Sequence, residues 1–159
     1  MKKTTKQTKD ENGFKTRPQL ADFLCFSIYS TNLAFGKAYK PLLDQLGLTY
    51  TQYVTVIALW ETDNQTVSEL GEKLFLESNT LTPILKKLEA AGYVTRKRDP
   101  EDERQVRVGL TPAGRALRER AFGMSLADAT GLAPDEFAEV RNYVNRMRDN
   151  LIKHTRGGE

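Results

Sequence analysis

The hydrophobic period of this chain switches at Gly92, and no other feature limits the possible folds as tightly. Upstream, Val67, Leu70 and Leu74, then Leu81, Ile84, Leu85 and Leu88, recur at spacings of three and four, the signature of two short amphipathic helices. Downstream, Val106, Val108 and Leu110 alternate with Gln105 and Arg107, the signature of a half-buried strand. Thr66 with Glu69 forms a capping box that opens the first helix. Phe75-Leu76-Glu77 is a tight connection to Ser78, which reads as the N-cap of the second, and Gly92 stands at its C′ position. Tyr93 to Arg98 reads as a strand, 99–102 as a turn, and Arg104 to Leu110 as the returning strand. Thr111-Pro112 then caps a further helix with proline at its first position. Two short helices, a brief turn and a basic hairpin in that order predict a winged helix-turn-helix.

The flanks are helical. A long helix is expected from Gln19 to about Leu46, with Leu20, Leu24, Ile28 and Phe35 on one stripe and Phe23, Leu33 and Leu42 widening it. Gly47 stops it, and Pro41 suggests an earlier break or kink. Thr49 with Gln52 opens a helix from Tyr50 to Glu61 whose buried-type residues are Tyr53, Val54, Ile57 and Trp60; residues 62–65 read as a loop. Pro83 should bend the first turn of the helix after Ser78. Past Pro112 the chain runs through Leu117, Ala121 and Met124, is interrupted near Gly131 and restarts after Pro134. Phe137, Val140, Val144, Met147 and Leu151 then keep the 3-4 spacing of a coiled-coil seam. Spacing alone leaves open whether the same chain or a second copy covers that seam. Both terminal helices carry more apolar stripe than a small winged domain can cover, which favours a homodimer.

The expected class is therefore mainly α (α+β): a winged helix-turn-helix with N- and C-terminal helices forming a dimerisation lobe. A basic leader over 1–18 is expected to be disordered, followed by a single domain over 19–154 and a tail over 155–159. Within the domain, the dimerisation helices occupy about 19–46 and 115–154, and the winged unit about 49–112.

Composition excludes several functions. One cysteine, Cys25, rules out an intramolecular disulfide framework or a cysteine-cluster zinc site, and the lone His154 falls in what reads as a frayed tail. No metal or other cofactor is expected, and the isolated Gly123 and Gly131 make no phosphate-cradling loop. No apolar run reaches the ~18 residues of a membrane span and no secretory h-region opens the chain, so a cytoplasmic location without membrane contact is expected. The net charge of +3 is a property of the leader: residues 1–18 hold six basic and two acidic residues, leaving the remainder at −1. A nucleic-acid partner must therefore be argued from local patches.

Those patches exist. Ser78, Asn79, Thr80 and Thr82 put short polar side chains at the start of the second helix, where they can reach base edges or phosphates in a DNA major groove. Lys86 and Lys87, one turn on, suit phosphate. On the hairpin, Arg96, Lys97, Arg98, Arg104 and Arg107 face Asp99, Glu101, Asp102 and Glu103, a near balance that argues against indiscriminate binding. It favours Arg104 being held by Asp102 and presented to a narrow minor groove. A two-fold dimer would read double-stranded DNA as an inverted repeat with half-sites about one helical turn apart.

The segments Thr66-Val67-Ser68-Glu69-Leu70-Gly71, 81–89, Asp102-Glu103-Arg104 and Leu110-Thr111-Pro112-Ala113-Gly114 resemble the multiple-antibiotic-resistance-regulator (MarR) family over roughly residues 20–150. Within it, 24–29 (Leu-Cys-Phe-Ser-Ile-Tyr) and 48–53 (Leu-Thr-Tyr-Thr-Gln-Tyr) are similar to the organic hydroperoxide resistance repressors. The resemblance implies a non-enzymatic homodimeric repressor in which Cys25 is the redox sensor, Tyr29, Tyr39 and Tyr50 support its thiolate, and residues 78–87 with Arg104 meet DNA. Tyr29 lies one turn from Cys25. Tyr39 is fourteen residues on, about 21 Å along a straight helix, so it would have to reach the thiol from the facing subunit. Residues 124–134 hold no cysteine, unlike the two-cysteine branch, in which a second thiol near this place resolves the sulfenate. The one-cysteine branch is implied, with a low-molecular-weight thiol completing the switch on an organic hydroperoxide.

Three other readings stand beside it: a repressor gated by a small aromatic ligand with Cys25 structural, a thiol peroxidase, and a protein-interaction winged helix. Cys25 taken by its spacing alone reads as a small buried hydrophobe, and only the whole motif turns it into a sensor. A peroxidase would need a resolving thiol that this chain lacks.

Overall fold

A computed structural model describes residues 19–121 and 128–157. The leader over 1–18 and Met124 lie outside the described residues. The chain divides into two units, Met1–Lys37 and Ala38–Glu159.

In the first unit, Leu20–Asp22 form a 3-10 turn, so the helix expected from Gln19 starts later. The Asp22 carboxylate accepts the Gln19 N–H at 2.8 Å while the Asp22 N–H returns to the Gln19 carbonyl at 2.9 Å, closing the chain over three residues. Phe23 is then extended, and helix α1 (Leu24–Leu46) begins. Leu20, Phe23, Leu24, Ile28 and Leu33 are exposed.

The second unit takes in the rest of α1. The break suggested at Pro41 does not occur, for α1 runs through it. Proline removes one backbone hydrogen bond, but the Lys40–Asp44 ion pair at 2.9 Å brackets the turn and Leu42, Leu43 and Leu46 anchor it in the core. Gly47, at φ +67°, ends the helix where a side chain would be strained. Helix α2 (Tyr50–Glu61) has the expected Thr49–Gln52 capping box. Its buried face differs from the expected one: Tyr53, Thr55, Val56, Ala58 and Leu59 are buried, whereas Val54, Ile57 and Trp60 are only half-covered.

Gln65–Thr66, expected as the end of a loop and a cap, also form a short strand, β1, paired antiparallel with the returning strand of the hairpin downstream. The buried Gln65 amide donates to the Ala58 carbonyl at 3.0 Å, and no local pattern announces this. Helices α3 (Val67–Leu74) and α4 (Ser78–Ala90) follow. Thr66 and Glu69 cap α3 as expected. Ser78 is not the N-cap of α4; Glu77 is, its carbonyl accepting from Thr80 and Leu81 at 3.0 and 2.9 Å. The helix continues through Pro83.

Strands β2 (Val94–Arg98) and β3 (Val106–Leu110) form the wing, and the sheet order is β1-β3-β2. Both strands are shorter than expected. Tyr93 gives its N–H to Leu88 across the helix terminus, and Gln105 gives its own to the Asp102 carbonyl at 2.8 Å within the turn. Helix α5 (Pro112–Ala121) buries Gly114, Leu117 and Ala121, and the Trp60 indole N–H donates to the Gly114 carbonyl at 3.0 Å. The stretch from 115 to 121, expected in the dimerisation lobe, is thus packed on the winged core, because its apolar positions fall on that side. Helix α6 (Pro134–Arg156) includes His154 and Thr155, so the tail expected from 155 starts later and His154 is in a helical turn. Val140, Val144 and Leu151 of the seam are exposed.

Candidate functional site

The candidate reading surface is built on the junction between α3 and α4. The αL turn at Phe75 separates α3 from α4, and the buried Leu81, Leu85 and Leu88 pin α4 so that its other face is open. Ser78, Asn79 and Thr80 are exposed at its start and Lys86 and Lys87 further along, with Thr82 half-covered. The Asn79 amide donates to Glu77 at 3.2 Å, and the Thr82 hydroxyl donates to the Ser78 carbonyl one turn back at 2.6 Å.

The wing sorts its bases. Arg104 is 92% exposed, with its Nε donating to Asp102 at 3.1 Å, the arrangement the charge pattern suggested. Its guanidinium and the Gln105 amide hold the Asp102 carboxyl below its ordinary pKa. Lys97 is exposed. Arg96, expected from the sequence among the DNA contacts, is placed otherwise. It pairs with Val108 in register, so it shares the inner face with Val106 and Leu110, and its guanidinium is tied to Glu89. That guanidinium depresses the Glu89 pKa. Counting alternation from the buried Val94 would have found this from the sequence. Arg107 is likewise engaged, by the buried Asp99 and by the Asn64 carbonyl at 3.1 Å. The Glu101 backbone N–H and then Arg107 outweigh burial and keep the Asp99 carboxyl low.

Asp63 locks the core side of the wing, accepting the N–H groups of Leu110 and Asn64 at 2.8 Å each and the guanidinium of Arg115. Burial pushes Asp63 up, but these donors together hold it below its ordinary value.

Of the expected phenols, Tyr29 shares the first unit with the thiol, whereas Tyr39 and Tyr50 belong to the second. In the first, Cys25 is exposed and is the second residue of α1. Tyr29 is exposed and meets Phe26 at 6.4 Å between ring centroids. In the second, Tyr39 packs on Tyr50 at 5.3 Å and on Tyr53 at 6.1 Å, with Trp60 edge-on to Tyr53. Burial and the neighbouring Tyr50 raise the pKa of both Tyr39 and Tyr53, so each stays a hydroxyl donor at neutral pH. Tyr53 was missed as a member of this group, although its three-residue spacing from Tyr50 placed both on one helix face. Among the described residues, no cluster of His, Cys, Asp or Glu could hold a metal ion, and no helix is long and apolar enough to cross a membrane.

A helix-turn-helix with an open polar face, followed by a wing carrying an exposed arginine, defines the class of winged-helix DNA-reading regulators. A family model described as transcriptional regulator SarA/Rot matches residues 37–120. The chain belongs to this family of transcriptional regulators, and the MarR-type architecture read from the motifs is shared by solved MarR structures. It is 41% identical over 155 residues to the HTH-type transcriptional regulator TtmR of Methylorubrum extorquens (strain PA1), covering 96% of this chain and 78% of that protein. It is 48% identical over 111 residues to the organic hydroperoxide resistance transcriptional regulator of Bacillus subtilis (strain 168), covering 70% of this chain and 75% of that one. Among solved structures, reduced AbfR bound to DNA superposes with a TM-score of 0.70 at 40% identity, covering 84% of this chain and 94% of that one.

Proposed function

We propose that this chain is a homodimeric, cytoplasmic repressor that binds an inverted-repeat operator and releases it when an organic hydroperoxide oxidises Cys25. It acts as a switch, not as an enzyme. The observation that carries this reading is a single exposed thiol in the first turn of α1, in a chain whose other half is a winged helix with an open recognition face. The resemblance to the Bacillus hydroperoxide regulator supports it.

The Cys25 thiolate attacks the terminal oxygen of an alkyl hydroperoxide; an S–O bond forms, the O–O bond breaks, and the alkoxide leaves and is protonated to the alcohol. A small thiol then attacks the sulfenic sulfur, forming a mixed disulfide and releasing water. Tyr29, Tyr39 and Tyr50 support the thiolate as hydroxyl donors, with Tyr39 supplied by a second copy. Ser78, Asn79, Thr80 and Thr82 face the major groove, Lys86 and Lys87 neutralise phosphate, and Lys97 and the Asp102-held Arg104 serve the wing. Arg96 acts from beneath, through Glu89. In this proposal residues 19–156 work as one domain. Operator release needs only a few kcal/mol of differential affinity, since ~1.4 kcal/mol is tenfold.

The test uses a duplex selected from a randomised pool by the reduced protein. Wild type should shift it in a salt-dependent manner and release it on adding tert-butyl hydroperoxide with a small thiol, while Cys25→Ser should bind and stay bound. A Cys25→Ser protein that still releases would refute the sensor role.

A second reading is favoured by one observation. A groove of about 580 Å³ lies between the α3–α4 turn and α6, where Phe75, Leu76 and Ile152 form an apolar part beside Ser68, Glu72, Glu77 and Ser78. That apolar part has room for the small aromatic ligand of the alternative mechanism. Peroxide-insensitive release by an aromatic carboxylate would favour that alternative.

A further inference from the structure

Phe75 occupies a conformation that its residue type disfavours. It sits at φ +56°, ψ +38°, the left-handed region usually given to glycine at this position of a helix end. A bulky side chain there is strained, and strain of this kind persists where the surroundings hold it for a purpose. Burial does not explain the ring, which is 58% exposed. What covers it is the guanidinium of Arg148 from α6, 4.6 Å from the ring centroid. Arg148 is held in turn along its own helix: Nε and Nη2 donate to Asp149 at 2.9 and 2.8 Å, and Nη1 donates to Asn145 at 3.2 Å. Ile152, one helical turn beyond Arg148, lines the groove beside the same Phe75.

We propose that the stack of Arg148 on Phe75 is a positioning latch, through which α6 sets the angle of the recognition helix α4. The inference rests on the DNA-binding reading above. The turn is short and stiff enough to transmit position. The Phe75 N–H bonds back to Glu72, and the Leu76 N–H bonds to the Gly71 carbonyl at 2.9 Å. The Leu76 carbonyl oxygen lies so close over Gly71 that an added Cβ would come within 2.7 Å of it. Glu77, the N-cap of α4, is the next residue. A shift of the ring is therefore a shift of the first turn of α4, where Ser78, Asn79 and Thr80 stand. The left-handed backbone aims the aromatic side chain at α6, and the planar guanidinium gives that contact a fixed geometry.

The experiment compares the selected operator with a scrambled duplex of equal length, and records thermal melting for every variant. Arg148→Gln and Phe75→Leu should each weaken operator binding by about two-fold to five-fold, the range of an exposed cation–π contact, with scrambled-duplex affinity and melting temperature little changed. The double variant should be no weaker than either single one, and Arg148→Lys, which keeps the charge but loses the planar stack, should recover only part of the affinity. Phe75→Gly separates the latch from folding: relief of the strained backbone should hold or raise the melting temperature, while operator preference still falls. Unchanged operator affinity in Arg148→Gln and Phe75→Leu, with wild type binding normally, overturns the latch alone. So do losses that add in the double variant, or losses equal on both duplexes that track a lower melting temperature. A wild-type protein that prefers no duplex overturns the DNA-binding reading, and the latch falls with it.

Discussion

Arg96 and Glu89 are bound together across the end of α4: Nε and Nη2 of the arginine reach one carboxylate oxygen at 2.8 and 2.6 Å, and the Arg96 backbone N–H donates to the other at 3.1 Å. The pair fastens the first strand of the wing to the recognition helix. Arg96→Ala is therefore expected to lower the melting temperature while leaving the salt dependence of operator binding unchanged. A phosphate contact would instead reduce the log–log salt slope by about 1, so a salt titration of the gel shift distinguishes the two roles.

Arg104 presents the opposite case. Its guanidinium is almost fully exposed and only steadied by Asp102. Arg104→Ala is expected to weaken operator binding by roughly 1–3 kcal/mol without lowering thermal stability. Asp102→Asn should produce a smaller loss of the same kind, because the arginine remains but is no longer held. Equal affinities for all three proteins would remove the wing tip from the interface.

Gly114 has no room for a side chain. A Cβ there would lie 2.0 Å from the Tyr93 carbonyl oxygen and 3.1 Å from Leu110. The obstruction is backbone, which cannot swing aside, and the Gly114 carbonyl also accepts the Trp60 indole. Gly114→Ala should destabilise the protein by about 3 kcal/mol or more, measured by urea denaturation. Gly36→Ala is the control. Gly36 is on the exposed side of α1, a Cβ added there would meet nothing within 4 Å, and the change should be neutral or slightly stabilising.

Acid should loosen the wing first. Asp63, Asp99, Asp102 and Glu89 all have folded-state pKa values below their ordinary ones. Protons thus bind the unfolded chain more readily, and the stabilisation from these groups is complete above the unfolded carboxylate range of roughly 4. It disappears as pH falls through the lower folded values. Stability followed by denaturant melts should be nearly flat from pH 7 to 5 and fall steeply below about pH 4. Asp63→Asn should be less stable at pH 7 and show a shallower acid limb. A parallel limb would mean that Asp63 contributes nothing to the acid sensitivity.

The sequence alone determined the order of the main helices and the wing hairpin. Thr49 with Gln52, Thr66 with Glu69, and Thr111 before Pro112 each close hydrogen bonds within three residues, so their outcome is written locally, and the change of hydrophobic period at Gly92 separates helices from wing. The exposed recognition face and Arg104 beside Asp102 were legible for the same reason. Only the tertiary structure decided the partners of long or distant groups: Arg96 on Glu89, Arg107 on Asp99, β1 on β3, Gly114 beneath Tyr93, and Phe75 under Arg148. Those choices depend on how elements far apart in the chain are brought together. A flexible guanidinium or a tight backbone approach leaves no periodic trace, because its energy comes from a neighbour that the chain reaches only after folding.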